Sequence, residues 1–182
     1  MTRARSVGIV LVLAAVLGVL TAPTWVVATV RTVLEPALVL TVSGGEAVPA
    51  VGAAALVVGA AGLALALAGR TGRVLAAGAL VVVGVLVSSV AAGVLADPHS
   101  VAVTAARAMT GGAQDVESAR ATVAAWSGVV LGGLTAGVGV WVALSARTWA
   151  ATSRRHEPKE PGPAPDDRGL WDAMSRGEDP TA

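Results

Sequence analysis

Residues 74–95, VLAAGALVVVGVLVSSVAAGVL, are the stretch that decides the fold. They contain no Asp, Glu, Lys or Arg, and neither do residues 121–146. A helix rises about 1.5 Å per residue, so a hydrocarbon core of about 30 Å requires roughly 20 apolar residues. Residues 74–95 are therefore long enough to cross a bilayer as one helix, and lipid is the expected solvent for this part of the chain.

Three further apolar stretches lie outward from this segment, and the chain as a whole is 54% hydrophobic. Segregation of charge from such long apolar runs is typical of membrane proteins rather than of soluble domains. The sequence predicts an all-α membrane protein, a four-helix transmembrane bundle within residues 7–149. The predicted spans are residues 7–22, 48–68, 74–95 and 123–144.

The first span has a second interpretation. Arg3 and Arg5 followed by an apolar run resemble a secretory signal peptide. Cleavage after Ala22 would place Leu20 where a small residue is required, whereas cleavage after Ala28 remains open. We favour an uncleaved anchor.

The distribution of basic residues predicts the orientation. Arginines cluster in residues 1–6, in the turn between the second and third spans, and after the fourth span, and four spans put these three segments on one side. The two other loops balance their arginines with acidic residues. Both termini are therefore expected in the cytoplasm of a multi-pass protein of the cell (inner or plasma) membrane. The clustered basic residues are Arg3, Arg5, Arg70, Arg73, Arg147, Arg154 and Arg155.

Four tryptophans suit the membrane interfaces, where their amphipathic rings are enriched. Trp126 and Trp141 are fifteen residues apart, about 22 Å along a helix. We expect Trp25 in the outer interfacial belt and Trp149 in the inner one.

The first outer loop is rich in Val and Thr, and two strand-like runs, residues 25–32 and 37–42, flank Glu35-Pro36. They predict a small extracytoplasmic β-hairpin. It serves either as a structured connector, which we favour, or as a contact surface facing the envelope.

The second outer loop begins with Asp97-Pro98, a good helix start. Val101, Ala105 and Met109 then share one face, which predicts a short helix on the membrane surface. Asp115 is expected to cap a helix that continues into the fourth span.

Residues that support catalysis are missing from the sequence. There is no Cys, so disulfides and Cys-ligated metals are excluded. The spans hold no ionisable residue, and His99 and His156 are expected on opposite sides of the membrane. No triad, phosphate loop or zinc pattern occurs. We predict no catalytic, cofactor-binding or metal-binding residues, no cofactor, no nucleic-acid partner and no enzyme.

Small residues are spaced for close helix packing. Gly128 and Gly132 form a GxxxG pair, as do Gly133 and Gly137, and Gly84 precedes Ser88 by the same interval. Such pairs serve either packing within one bundle, which we favour, or assembly of a homo-oligomer.

The tail changes character after the last span. Residues 150–165 are Pro-rich and predict a flexible linker. In residues 166–182, Leu170, Trp171 and Met174 gather on one side of a short acidic helix that is too short to persist alone in water. These three residues are our candidate partner-binding site for a cytoplasmic protein. Docking onto the chain's own bundle and a disordered tail are the alternatives.

The stretches RTWAATSRRHEP (147–158) and DDRGLWDAMSRGEDPTA (166–182) resemble the tryptophan-biosynthesis-associated membrane proteins of actinobacteria. The four-span plan, TW at 24–25 and SGGEAVPA at 43–50 fit the same family. The resemblance implies a gene beside those for tryptophan biosynthesis. It brings no established activity and no catalytic residues.

Three functions are compatible with these observations. The first is a non-enzymatic membrane protein that docks or regulates a cytoplasmic partner through its tail. The second is a small oligomeric permease or exporter for an aromatic metabolite, because an uncharged substrate needs no charge inside the spans. The third is a structural envelope protein that acts through its outer hairpin.

Overall fold

The protein is described from a computed structural model, which covers residues 3–31, 38–110, 115–153 and 175–176. Residues 1–147 form one compact unit and residues 148–182 a second. In chain order the elements are α1 (Arg3–Val19), β1 (Thr24–Arg31), β2 (Leu38–Ser43), α2 (Gly44–Ala47), α3 (Ala50–Leu67), α4 (Arg70–Ala96), α5 (Pro98–Thr110), β3 (Asp115–Ala121) and α6 (Val123–Ser153).

Three helices have the length and apolar composition needed to cross a membrane: α3, α4 from Thr71, and α6 as far as Ser145. The apolar part of α1, Ala4–Val19, is shorter than these three. Most side chains of the three long helices are not buried inside the protein. Apolar side chains left exposed on long helices require lipid around them. The described chain is a membrane protein with three candidate spans, and the predicted fourth span stays a prediction.

Helix α1 lies antiparallel to α3 along most of its length. A Cβ added to Gly62 would lie 3.0 Å from Cδ2 of Leu11, and one added to Gly59 would lie 3.8 Å from Cβ of Ala14. Toward the other end of α1, Gly18 approaches Ala55. The two helices therefore occupy the same depth of the bundle over about two turns.

Helices α4 and α6 approach each other so closely that even an alanine methyl group would overlap at Gly84 and Gly132. A Cβ added to Gly84 would overlap the backbone nitrogen of Ala136, and one added to Gly132 would lie 2.5 Å from Oγ of Ser88. Oγ of Ser88 also donates a hydrogen bond of 2.9 Å to the carbonyl of Val129. The sequence pairs Gly84–Ser88 and Gly128–Gly132 are thus used for packing within one chain.

A three-stranded antiparallel sheet of order β2-β1-β3 lies at the end of the bundle where α3 and α6 begin and α4 ends. The two strands expected from the first outer loop are present as β1 and β2, whereas the loop between them, residues 32–37, lies outside the described residues. The third strand, β3, comes from the second outer loop and pairs along the other edge of β1.

The expected helix beginning at Asp115 is therefore wrong. Residues 115–121 are extended, and α6 begins only at Val123. The physical reason is tertiary: β1 offers a row of unpaired backbone groups, and strand pairing with this edge outweighs a weak local helix preference. The backbone nitrogen of Thr122 then donates to the carbonyl of Trp25 at 2.8 Å and fixes the junction.

Helix α5 covers one face of this sheet. Ala102 and Ala106 are fully buried in the same core cluster as the strand residues Val26 and Ala28. The start of α5 follows the sequence prediction, because Oδ1 of Asp97 accepts a 3.0 Å hydrogen bond from the backbone nitrogen of Ser100. We call the sheet together with α2 and α5 the head.

Trp25 lies in the core beneath the head, not in an interfacial belt as its position in the sequence suggested. Its side chain is fully buried, and Cβ atoms added to Gly44 or Gly128 would lie within 2.8 Å of it. The indole lies against Gly44 of α2 and Gly128 of α6, where the absence of side chains leaves room for it. Trp126 by contrast is 59% exposed.

Candidate functional site

The head contains a groove of about 390 Å³. One wall is formed by the inner face of β2 together with α2, and the other wall by α5. We call it the head groove. Its volume lies within the range of about 300–1,000 Å³ that is usual for small-molecule sites.

The walls of the head groove are mostly apolar. Leu40, Val42 and Ala47 contribute the sheet side, and Val101 and Ala105 contribute the middle of the α5 side. The alternation of β2 brings Leu40 and Val42 to one face because successive strand residues point to opposite faces. The groove is therefore a product of strand periodicity on one wall and helix periodicity on the other.

Helix α5 divides its apolar residues between two surfaces. Ala102 and Ala106 pack on the sheet, whereas Val101, Ala105 and Met109 line the groove. The face that the sequence predicted for the membrane surface thus faces a groove within the protein. Met109 remains 67% exposed, so the groove is open at this end.

Four polar side chains also line the groove: Thr41, Glu46, Ser100 and Thr104. The hydroxyl of Ser100 donates to the carbonyl of Asp97 at 3.1 Å, and that of Thr104 donates to the carbonyl of Ser100 at 2.9 Å. In this arrangement both hydroxyl protons point to backbone carbonyls at the start of α5, so the lone pairs of the two oxygens face the groove as acceptors.

Glu46 is the one ionisable residue among the described residues that line the groove. Its Oε2 accepts 2.9 Å hydrogen bonds from the backbone nitrogen and from Oγ of Ser43, and its own backbone nitrogen donates to Oγ of Ser43. This reciprocal capping box fixes the start of α2. The backbone hydrogen bond from Ser43, followed by the side-chain hydrogen bond, holds the pKa of Glu46 below its ordinary value.

The site predicted from the sequence is elsewhere. Leu170, Trp171 and Met174 all lie outside the described residues, as do most of the linker and most of the tail. Ser175 and Arg176 are described next to them, and both are exposed. The partner-binding role of the three residues stays a prediction.

No group of three or more His, Asp or Glu side chains that could hold a metal ion occurs among the described residues. His99 places Nε2 3.3 Å from the carbonyl of Val116 and so helps to fasten α5 to β3. His156 lies outside the described residues.

Sequence reasoning missed the head groove. The signals were present separately, as the alternation of residues 38–43 and as the shared face of Val101, Ala105 and Met109. What joined them was β3, because pairing of this strand with β1 holds α5 over the sheet.

Comparison with known proteins finds one family model. Residues 7–181 match the family described as tryptophan-associated transmembrane protein, which is nearly the whole chain. No curated protein and no solved structure matches.

Proposed function

Since this chain belongs to the tryptophan-associated transmembrane protein family, we propose that it is a non-enzymatic protein of the cell membrane that docks a cytoplasmic partner through residues 166–182. In this proposal four helices cross the bilayer, the head lies outside the cell, and both termini lie in the cytoplasm. The partner we favour is an enzyme of tryptophan biosynthesis, in keeping with the family's description.

The pairing of α1 with α3 supports four spans. Helix α3 is long and apolar enough to cross a membrane, and α1 runs beside it from Leu11, opposite Gly62, to Gly18, opposite Ala55. A helix that packs at the same depth as a spanning helix is surrounded by the same lipid. The short length of α1 is accommodated by residues 20–23, which continue to β1.

The alternation of the helices supports the sidedness. The head joins α1 to α3 and α4 to α6, so the N-terminus, the α3–α4 turn and the end of α6 share the opposite end. Arg3, Arg5, Arg70 and Arg73 fall at that opposite end, and Arg147, Arg154 and Arg155 follow the fourth predicted span in the sequence. The positive-inside rule assigns the arginine-rich end to the cytoplasm. This coincidence of a folded head with the arginine-poor end is the observation on which the proposal rests.

The polar groups of the described helices support a scaffold over a transporter. The hydroxyls of Ser88, Ser127 and Thr135 donate to helix carbonyls at 2.5–2.9 Å. The glycine contacts between α4 and α6 bring those backbones together. Hydroxyls that are bonded to helix carbonyls and helices that are packed this closely do not favour a path for an aromatic metabolite through one chain. The permease is therefore the alternative proposal, and no feature of the described helices supports it.

The test is photocrosslinking in native cells. A photoreactive residue at position 171 is expected to capture one cytoplasmic protein, and the same residue at position 164 in the linker is expected not to capture it. Leu170→Ala and Met174→Ala, combined with the probe at 171, should abolish the adduct because buried apolar anchors dominate such contacts. Equal capture from positions 164 and 171 would contradict docking through the motif.

A further inference from the structure

We propose that the head groove binds a small amphipathic amine, with an aromatic or aliphatic body between β2 and α5 and a primary ammonium group at Glu46. This role is separate from docking by the tail, because the groove lies in the head and the described residues that line it run from Leu40 to Met109.

The first argument is shape and apolarity. A groove of about 390 Å³ with walls of Leu40, Val42, Val101 and Ala105 accepts an apolar body of ring size or somewhat larger. Ala108 and Met109 are exposed at its open end, so a ligand has access without a change in the fold.

The second argument is hydrogen-bonding polarity. Ser100 and Thr104 have both donated their hydroxyl protons to backbone carbonyls. Glu46 accepts two bonds from Ser43 at Oε2, and among the described residues no hydrogen bond reaches its Oε1. These three side chains therefore present acceptors, and an ammonium group has three donors and no acceptor.

The third argument is charge. Glu46 is ionised at neutral pH, and no Lys, Arg or His occurs among the described residues that line the groove. Two described arginines of the head lie away from the groove: Arg31 pairs with Glu117 at 3.3 Å, and Arg120 lies on the other face of the sheet, beside Val27 and Thr29. The third, Arg107 of α5, is exposed and is not among the described residues that line the groove. An anionic ligand would therefore meet a like charge, and the hydroxyl of Thr41 is the one neutral donor that the described lining side chains leave for it.

The experiment uses the full chain in nanodiscs of zwitterionic lipid, with ligand-observed ¹⁹F NMR. The probes are 2-(4-fluorophenyl)ethylamine, the anion 3-(4-fluorophenyl)propionate and the neutral 2-(4-fluorophenyl)ethanol. Saturable binding is expected for the amine alone, and empty nanodiscs measure partition into lipid. Equal binding of the alcohol or of the anion would overturn the proposal.

Two variants locate the site. Glu46→Gln preserves a capping side chain, since Gln serves in the same box, but removes the charge. It should raise the Kd of the amine about tenfold, the factor expected for one charge-assisted hydrogen bond. Glu117→Gln, an exposed carboxylate of the head that does not line the groove, is the matched control and should leave the Kd unchanged.

Ala108→Leu keeps the proposal testable if Glu46→Gln weakens the head. Ala108 lines the groove with an exposed side chain, so the larger residue fills the groove without entering the core. Binding of the amine should be lost at an unchanged melting temperature. Wild-type affinity in both Ala108→Leu and Glu46→Gln would place the amine elsewhere and overturn the proposal.

Discussion

At the scale of single residues, two glycine pairs with the same spacing differ in the contacts that they make. Gly128–Gly132 and Gly133–Gly137 are both GxxxG pairs, but the first makes the close contacts: Cβ atoms added there would lie within 2.8 Å of Trp25 or Ser88, whereas one added to Gly133 would lie 3.9 Å from Oγ of Ser88. Nothing lies within 4 Å of a Cβ added to Gly137, and Gly133 is exposed. The spacing alone predicts that helices approach closely, and it does not say which of two adjacent pairs makes the contact.

Gly84→Ala should therefore destabilise the bundle. The added methyl group overlaps the backbone of Ala136 and lies 2.6 Å from the carbonyl oxygen of Gly132, so α4 and α6 must separate. Overpacking of this kind costs about 1–3 kcal/mol in the free energy of unfolding, measured by denaturation of the detergent-solubilised protein. Gly78→Ala is the control in the same helix, because its Cβ meets nothing within 4 Å. Equal stabilities of the two variants would contradict the α4–α6 contact.

Trp25 and Trp126 should likewise respond differently to truncation. Trp25 is fully buried in the head core, whereas Trp126 is 59% exposed. Trp25→Ala is expected to lower the free energy of unfolding by about 3–5 kcal/mol, as large-to-small core changes do. Trp126→Ala should cost far less, and the comparison is made in the same detergent by chemical denaturation. A larger loss of unfolding free energy for Trp126→Ala than for Trp25→Ala would contradict the buried position of Trp25.

At the scale of elements, prediction from sequence succeeded where the signal is local. The apolar helices, the two Val-rich strands and the Asp97 cap all follow from patterns within a few residues. Strand β3 does not, because residues 115–121 contain two acidic residues, an arginine and three small residues with little β-propensity. They are extended because β1 lacked a partner on that edge, which is a property of a distant part of the chain.

Pairing of β3 with β1 can be tested in a chain that has no cysteine. Thr29 and Ser118 are direct partners across the two strands, so the double variant Thr29→Cys/Ser118→Cys should crosslink on mild oxidation. Val39→Cys/Ser118→Cys should not, since β1 separates these positions by two strand spacings, about 9–10 Å. The readout is a mobility shift on a non-reducing gel. Crosslinking of the second pair alone would require another strand order.

The capping box at Ser43 and Glu46 should make part of the head's stability depend on pH. Because the folded-state pKa of Glu46 is lowered, its contribution is present above the unfolded-state value of 4.5 and is lost as the pH falls through the folded-state pKa. The difference in melting temperature between wild type and Glu46→Gln should thus be largest near neutral pH and shrink below pH 4.5. If the difference in melting temperature stays constant across this pH range, the ionised carboxylate of Glu46 does not stabilise the cap.

At the scale of the whole molecule, the sequence predicted the lipid environment but not the architecture of the head. A charge-free apolar run as long as residues 74–95 directly indicates a lipid environment, because a membrane-spanning helix is one of the few structures that such a run can form. The head groove depends on Leu40 and Ala105, which are far apart in the chain and meet only after the sheet has formed. The tail motif around Trp171 had a local signal, but the docking role that we propose for it also depends on the surface of a partner, which the sequence of this chain does not contain.

The orientation makes a prediction for three single-cysteine variants. Ser118→Cys in the head should react with a membrane-impermeant maleimide on intact protoplasts. Ala4→Cys and Gly69→Cys, at the other end of the bundle, should react only after permeabilisation; both positions are exposed. Labelling of Ala4→Cys on intact protoplasts, with Gly69→Cys protected, would mean that α1 does not cross the membrane.

The central position of β1 has a consequence for biosynthesis. The ribosome delivers β1 and β2 early, but β3 emerges only after α3, α4 and α5 have been made. During that interval one edge of β1 has no partner, and an unpaired edge is a template for aggregation. Nascent chains that stall before residue 115 therefore carry an open edge, and we expect them to need chaperones or to be degraded before the head is complete.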